Sequence, residues 1–145
     1  TLAESVAARL RAYGLKGGTV QITLRDNRLE SMERQMRLSQ PTNLAGELLE
    51  AAMQLTRRNT SFLHPLRSVG LRACRLIAED APEQISLFDG ESRIKKERLE
   101  REVDALRARF GHGVIGRGIL LTDPLLGKLN PQDDHVIHPI GYFGD

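Results

Sequence analysis

The sequence is poor in cysteine, in aromatic residues and in long apolar runs. Of its 145 residues one is cysteine, none is tryptophan and 4% are aromatic. A single cysteine, Cys74, excludes an internal disulfide and favours a reducing compartment, so we expect a cytoplasmic location. Because no run of about 18 apolar residues occurs that could span a bilayer, we predict no membrane partner. What is left is the composition of an ordinary globular domain, with 40% hydrophobic and 28% charged residues.

Charge is divided unevenly along the chain. Residues 1–78 carry 12 Lys and Arg against 6 Asp and Glu, whereas residues 79–145 carry 9 against 13. An excess of basic residues is what a phosphate-binding surface requires, although a solvated charged surface has the same composition. The net charge of +2 therefore hides two segments with different electrostatic properties.

Hydrophobic periodicity predicts a mixture of helices and strands. In the first predicted strand, Val20, Ile22 and Leu24 alternate with polar residues, which indicates a sheet with one buried and one solvent-exposed face. In the last one, Arg67 and Ile77 have the inward parity, so we expect a bulge at Gly70 or a neighbour. The patterns predict helices over residues 2–13, 44–58 and 92–110, and strands over 19–25 and 66–78.

Two segments are harder to assign. Residues 30–39 fit both periods, because Met32 and Met36 share helical spacing with Leu29 and strand parity with Leu38, and Arg34 is an awkward member of that strand row. Thr42 or Asn43 is predicted to cap the second helix. The apolar stripe of the third helix suggests that it docks on the first domain or on a partner.

Three stretches resemble a known family. GTVQITLRD, ERQMRLSQPTNL and LRSVGLRACRL have the order and spacing of the little finger domain of Y-family, UmuC-type translesion DNA polymerases, over residues 1 to about 78. The resemblance implies an α+β fold: an antiparallel or mixed sheet with two helices on one face, followed by a C-terminal helix and an irregular tail. It also implies that residues 31–39 form a strand paired with the first one.

The resemblance further implies that this chain is part of a longer polymerase. A strand usually precedes the first helix in such domains, so we expect the rest of the polymerase chain upstream of Thr1. Without that strand the sheet has an unpaired edge, which Val114–Leu121 of the same or a neighbouring chain is expected to fill as a strand. The catalytic carboxylates and their Mg²⁺ would belong to the palm domain of the parent, so we expect no catalytic residue, metal or cofactor in this segment.

In little finger domains the open face of the sheet lies in the DNA major groove. A polymerase that copies damaged template must hold any sequence, so its contacts should be with phosphates rather than base edges. The implied partner is double-stranded template–primer DNA. The first strand shows no aromatic residue on its polar side, which argues against a single-strand reader. The candidate DNA-binding residues are Arg25, Arg34, Gln35, Arg37, Ser39, Arg67, Ser68 and Arg72, with Thr23 as a further neutral donor.

The stretch PEQISLFDG sets three large apolar residues among proline, glycine and acids, where a chain normally has no core to bury them. Leu87 and Phe88 would be apolar anchors and Gln84 would set the register of a docked peptide. The alternative is that Leu87 and Phe88 pack against their own domain. The stretch resembles the pentapeptide by which bacterial polymerases and repair proteins bind the sliding clamp, and the matching residues are Gln84, Ile85, Ser86, Leu87 and Phe88.

We therefore divide the chain into a little finger domain (residues 1–79), a linker with the clamp-binding motif (80–91) and a C-terminal extension (92–145). The predicted function is that of the C-terminal part of a translesion polymerase in DNA damage tolerance.

Two other functions remain open at this point. The first is a free-standing nucleic-acid-binding regulator with an α/β sheet. The second is a small hydrolase using Asp134 and His135, although no nucleophile accompanies them. A metal site at Asp133, Asp134, His135 and His138 is disfavoured, because it lacks the repeated ligand spacing of structural zinc sites.

Overall fold

The computed structural model describes residues 1–61, 63–82 and 90–123. Three strands form one antiparallel sheet, in which Leu15–Asp26 lies between Ser31–Thr42 and Leu66–Ala78, and this confirms the predicted α+β fold. None of the helices in these ranges is long and apolar enough to cross a membrane. The elements are α1 (Leu2–Ala12), β1 (Leu15–Asp26), β2 (Ser31–Thr42), α2 (Ala45–Asn59), β3 (Leu66–Ala78) and α3 (Gly90–Phe110), followed by 3-10 turns at His112–Val114 and Gly118–Thr122.

The core lies between one face of the sheet and helices α1 and α2. Val20, Ile22 and Leu24 of β1 are at most 4% exposed and face this layer, as their alternation predicts. Leu10 of α1 and Leu48 of α2 pack in the same buried cluster. Both helices cover the same side, and within the described ranges neither α1 nor α2 packs on the opposite face of the sheet, which we call the open face.

The central strand begins earlier than the alternation indicated. Gly14 ends α1 with a φ of +62°, and the chain is already extended at Leu15. A Cβ atom at Gly17 would stand 2.9 Å from the Cβ of Ala73, so only glycine allows β3 to approach this closely. The two glycines after Gly14 therefore belong to the strand and do not mark a loop.

The bulge in β3 lies at Arg67 rather than at Gly70. Arg25 pairs with Ser68 and Asp26 with Leu66, which leaves Arg67 as the extra residue, while the register runs unbroken through Gly70. Further along β3, Arg75 adopts a positive φ of 51° and disturbs the alternation before Ile77.

Helix α3 docks on the sheet domain through charged side chains. The guanidinium of Arg11 is 7% exposed, and it pairs with Glu100 and, at 2.6 Å, with Asp104 of α3. In the reverse sense, Arg93 of α3 donates to Gln40 and to the carbonyl of Pro41. The predicted apolar stripe of α3 does not provide the attachment, because Leu99 and Phe110 are 64% and 59% exposed.

The same interface shifts the pKa values of its members. Burial would raise the pKa of Glu79, but the hydrogen bond from Asn43 and the pairing with Arg101 outweigh it and lower that pKa. For Arg11, burial would lower the pKa, but hydrogen bonds and charge attraction from Asp104 and Glu100 raise it. The carboxylates and guanidinium groups of this interface therefore stabilise one another in their charged forms.

The expectation that Val114–Leu121 forms a strand is wrong. The segment forms two 3-10 turns instead, and the carbonyl of Ile115 accepts hydrogen bonds from Arg107 of α3. Glycines at 111, 113, 116 and 118 weaken extended pairing here. Within the described ranges, the sheet pairing involves β1, β2 and β3 alone, so this segment does not fill an edge of the sheet.

Candidate nucleic-acid interface

The open face of the sheet is formed by alternate residues of the three strands. The register aligns them in four rows that run across the sheet, each with a β2, a β1 and a β3 member. None of these strand residues is aromatic or a large aliphatic, so the face is polar throughout. The rows are Arg37-Thr19-Cys74, Gln35-Gln21-Arg72, Glu33-Thr23-Gly70 and Ser31-Arg25-Ser68.

Three of the five predicted arginines share this face. Arg37 and Arg72 lie in the first two rows, Arg25 lies in the fourth, and all three are exposed. Arg25 follows Thr19 by six positions along β1, so their two rows are about 20 Å apart at the usual rise of a strand. The positive charges therefore stand near both ends of the face.

The other two predicted arginines lie elsewhere. Arg34 pairs with Ile22, so it shares the row of Met32 and Met36 on the helix-covered side of the edge strand. Its guanidinium donates to the carbonyl of Glu33 at 2.7 Å. Arg67 occupies the bulge of β3 and is exposed there. The structure thus does not group these two with the three on the open face.

The predicted neutral donors also do not all lie on the open face. Gln35 and Ser68 lie on the open face, opposite Gln21 and Arg25 respectively. Ser39 falls among residues 38–41, which stand across from Gly18 between the pairs Arg37–Thr19 and Thr42–Gly17. This irregularity removes Ser39 from the regular rows.

Glu33, on the edge strand β2 in the third of the four rows, is not among the site residues predicted from the sequence. Its carboxylate accepts hydrogen bonds from the amide of Gln21 at 3.1 Å and from the hydroxyl of Thr23 at 3.2 Å. Cys74 lies near the same network, with its sulfur 3.8 Å from the Gln21 amide oxygen. Glu33 was detectable in principle, because it has the same strand parity as Gln35 and Arg37.

The predicted clamp-binding residues Gln84–Phe88 and the histidines of the tail lie outside the described residues. Among the described residues, no group of three or more His, Cys, Asp and Glu side chains is arranged to hold a metal ion. The open face of the sheet is therefore the candidate site that the structure presents.

The comparisons with known proteins agree with the fold. Residues 1–87 match the impB/mucB/samB family C-terminal domain. The DNA polymerase IV of Acetivibrio thermocellus is 40% identical over 129 residues, which cover 88% of this chain and 32% of that protein. The DNA polymerase IV of Moorella thermoacetica is 34% identical over 122 residues, which cover 83% of this chain and 30% of that protein.

A further relative is DNA polymerase IV 2 of Bacillus subtilis, 31% identical over 129 residues that cover 83% of this chain and 29% of that protein. The chain thus spans about a third of the length of the curated relatives it matches. The matched family domain includes all three stretches on which the resemblance rested. Sequence, fold and relatives agree that the chain belongs to the impB/mucB/samB family of UmuC-type, Y-family DNA polymerases.

Proposed function

We propose that residues 1–79 hold template–primer duplex for a translesion polymerase, and that the open face of the sheet is the DNA-contacting surface. The observation that carries the proposal is the separation of the two faces. Both α1 and α2 cover one side, while Arg25, Arg37 and Arg72 are exposed on the other. A bare sheet face with exposed arginines suits a negatively charged partner.

The composition of the face favours binding without base recognition. Phosphates are the same in every sequence, and arginine binds them with paired, charge-assisted hydrogen bonds. A single-strand reader would instead stack bases on aromatic side chains, which these strand positions lack. The face therefore suits a polymerase domain that holds duplex of any sequence.

The first experiment measures duplex binding by fluorescence anisotropy over a range of salt concentrations. Replacing Arg25, Arg37 and Arg72 together by alanine should weaken binding about 10-fold to 100-fold and lower the slope of log Kd against log salt by about 3. The matched control removes three exposed arginines from the helices, Arg9, Arg57 and Arg58, and should change binding little. Equal effects of the two triple variants would contradict the proposal.

We also propose that residues 84–88 tether the domain to a bacterial sliding clamp. The support is the five-residue match itself, its position after a domain of the right family, and the general need of a docking peptide for a few apolar anchors. A peptide spanning residues 82–90 should bind the clamp with micromolar affinity. Leu87→Ala with Phe88→Ala should abolish that binding, and unchanged binding would exclude the assignment.

The proposal assigns holding and delivery to this chain and no chemical step. In such a polymerase the catalytic carboxylates and Mg²⁺ would be supplied by the palm of the parent protein. The activity in damage tolerance is therefore a property proposed for the whole polymerase, to which this chain would contribute DNA affinity and localisation.

A further inference from the structure

The four rows of the open face carry one negative charge, and it lies on the edge strand β2. Glu33 is the single acid among the strand residues of the four rows, and it stands between the row that holds Arg72 and the row that holds Arg25. An acid here is unexpected on a phosphate-binding surface, because it repels the groups that the arginines attract.

The carboxylate is held in place on that face. Its two oxygens accept from different neighbours on β1, one from Gln21 and one from Thr23. Both donors are neutral, and no ion pair in the described part of the chain compensates the charge of Glu33. The charge is therefore fixed by two hydrogen bonds but not neutralised.

Distances on the sheet bring this charge within reach of bound phosphates. Glu33 and Arg25 occupy neighbouring strands in adjacent rows, which places their Cα atoms about 8 Å apart at usual strand spacing. That separation is close to the Debye length of about 8 Å at physiological salt, so the repulsion is only partly screened. A phosphate paired with Arg25 would therefore feel the acid, whereas Arg72, two strands away in the adjacent row, is about 12 Å from it and is screened more strongly.

We propose that Glu33 limits how tightly this domain holds duplex DNA and so sets how fast the domain releases it. This inference rests on the proposed function of the open face. A domain that holds DNA through three arginines alone would bind more tightly and dissociate more slowly. The acid weakens the hold uniformly, because it acts on phosphates and does not depend on sequence.

The test uses Glu33→Gln, which keeps the shape and one acceptor oxygen but removes the charge. On a labelled template–primer duplex, we expect this variant to bind about three- to tenfold tighter near physiological salt, with most of the change in the dissociation rate. The gain should shrink as salt rises. Glu33→Thr, neutral and favourable in a strand, should show the same direction of change.

Glu50→Gln is the matched control, because Glu50 is an exposed acid on α2, on the covered side of the sheet. It should leave duplex binding unchanged. A Glu33→Gln variant that binds as weakly as the wild type, or more weakly, would overturn the inference. The latter result is expected if Glu33 accepts a hydrogen bond from a base, such as the amino group of cytosine.

Arg72→Ala separates this inference from the proposal on which it rests. If Arg72→Ala weakens duplex binding and Glu33→Gln leaves it unchanged, the open face holds DNA and the role given to Glu33 is wrong. If neither variant alters binding, the DNA-holding function of the face is wrong, and the inference about Glu33 is wrong as well. Thermal melting of each variant checks that the comparisons are made between folded proteins.

Discussion

Glu100 of α3 caps the N-terminus of α2, because both oxygens of its carboxylate lie 3.0 Å from the backbone nitrogen of Ala45. The same carboxylate pairs with the buried guanidinium of Arg11 on α1. One side chain therefore satisfies a free helix-end donor and a buried cation at once. It ties the last long helix to both helices of the sheet domain.

Glu100→Ala should destabilise the protein by about 1 to 3 kcal/mol, because it removes a helix cap and one of the two acids that pair with Arg11. Urea unfolding followed by circular dichroism measures the change. The matched control is Glu102→Ala, an exposed acid of the same helix, which should cost less than about 0.5 kcal/mol. Equal losses in the two variants would show that Glu100 does not act as a cap.

Stability should fall in acid, in part because of Glu79. Its pKa lies below the ordinary value of 4.5 in the folded state, so its contribution is complete above that value and is lost as pH falls through the lower folded pKa. Urea unfolding between about pH 7 and pH 3 should show this loss, and Glu79→Gln should make the acid limb shallower. An identical pH profile for Glu79→Gln and the wild type would contradict the prediction.

Gly17→Ala should destabilise the sheet. The new methyl group would stand 2.9 Å from the Cβ of Ala73, closer than two carbon atoms can approach, so β1 and β3 must separate. Overpacking of this kind costs about 1 to 3 kcal/mol. Gly46→Ala is the matched control, since nothing lies within 4 Å of the added atom in the first turn of α2. The control should be neutral or slightly stabilising, and an undiminished stability of Gly17→Ala would contradict the close approach of β1 and β3 at this position.

The docking of α3 should weaken in salt. Its contacts with the sheet domain are ion pairs such as Arg101–Glu79 and Arg11–Asp104, whereas its large apolar residues are exposed. We expect amide hydrogen exchange of α3 to speed up between about 0.1 M and 1 M NaCl, while exchange in β1 stays constant. Apolar docking would give the opposite trend, with slower exchange in α3 at high salt.

The sequence predicts the elements whose apolar pattern depends only on burial against one neighbouring layer of the fold. Val20, Ile22 and Leu24 face the helices, and this alternation alone identifies both the strand and its open side. The start of β1 was missed because Gly17 and Gly18 look like loop residues in isolation. They belong to a strand only because Ala73 and the carbonyl of Arg75 approach so closely.

The candidate site was predictable only in part for a similar reason. Of the five predicted arginines, Arg37 and Arg72 have the parity of the open face and lie there with Arg25, whereas the parity of Arg34 already marks it as awkward. The bulge that displaces Arg67 depends on how β3 meets the end of β1, which local patterns do not contain. The cap of α2 was expected from Thr42 or Asn43, yet Ala45 binds Glu100, a residue 55 positions away.

The charges of α3 determine which domain surface this extension can dock on. Its acids meet Arg11 and Lys16, and its arginines meet Glu4, Glu47 and Glu79, so cations and anions alternate on both sides of the contact. A helix of identical composition with its charges shuffled would find like charges opposed and would not dock. Reversing the sign of one of these charges would oppose it to a like charge, so the order of signs, more than apolar contact, matches this extension to the domain on which it docks.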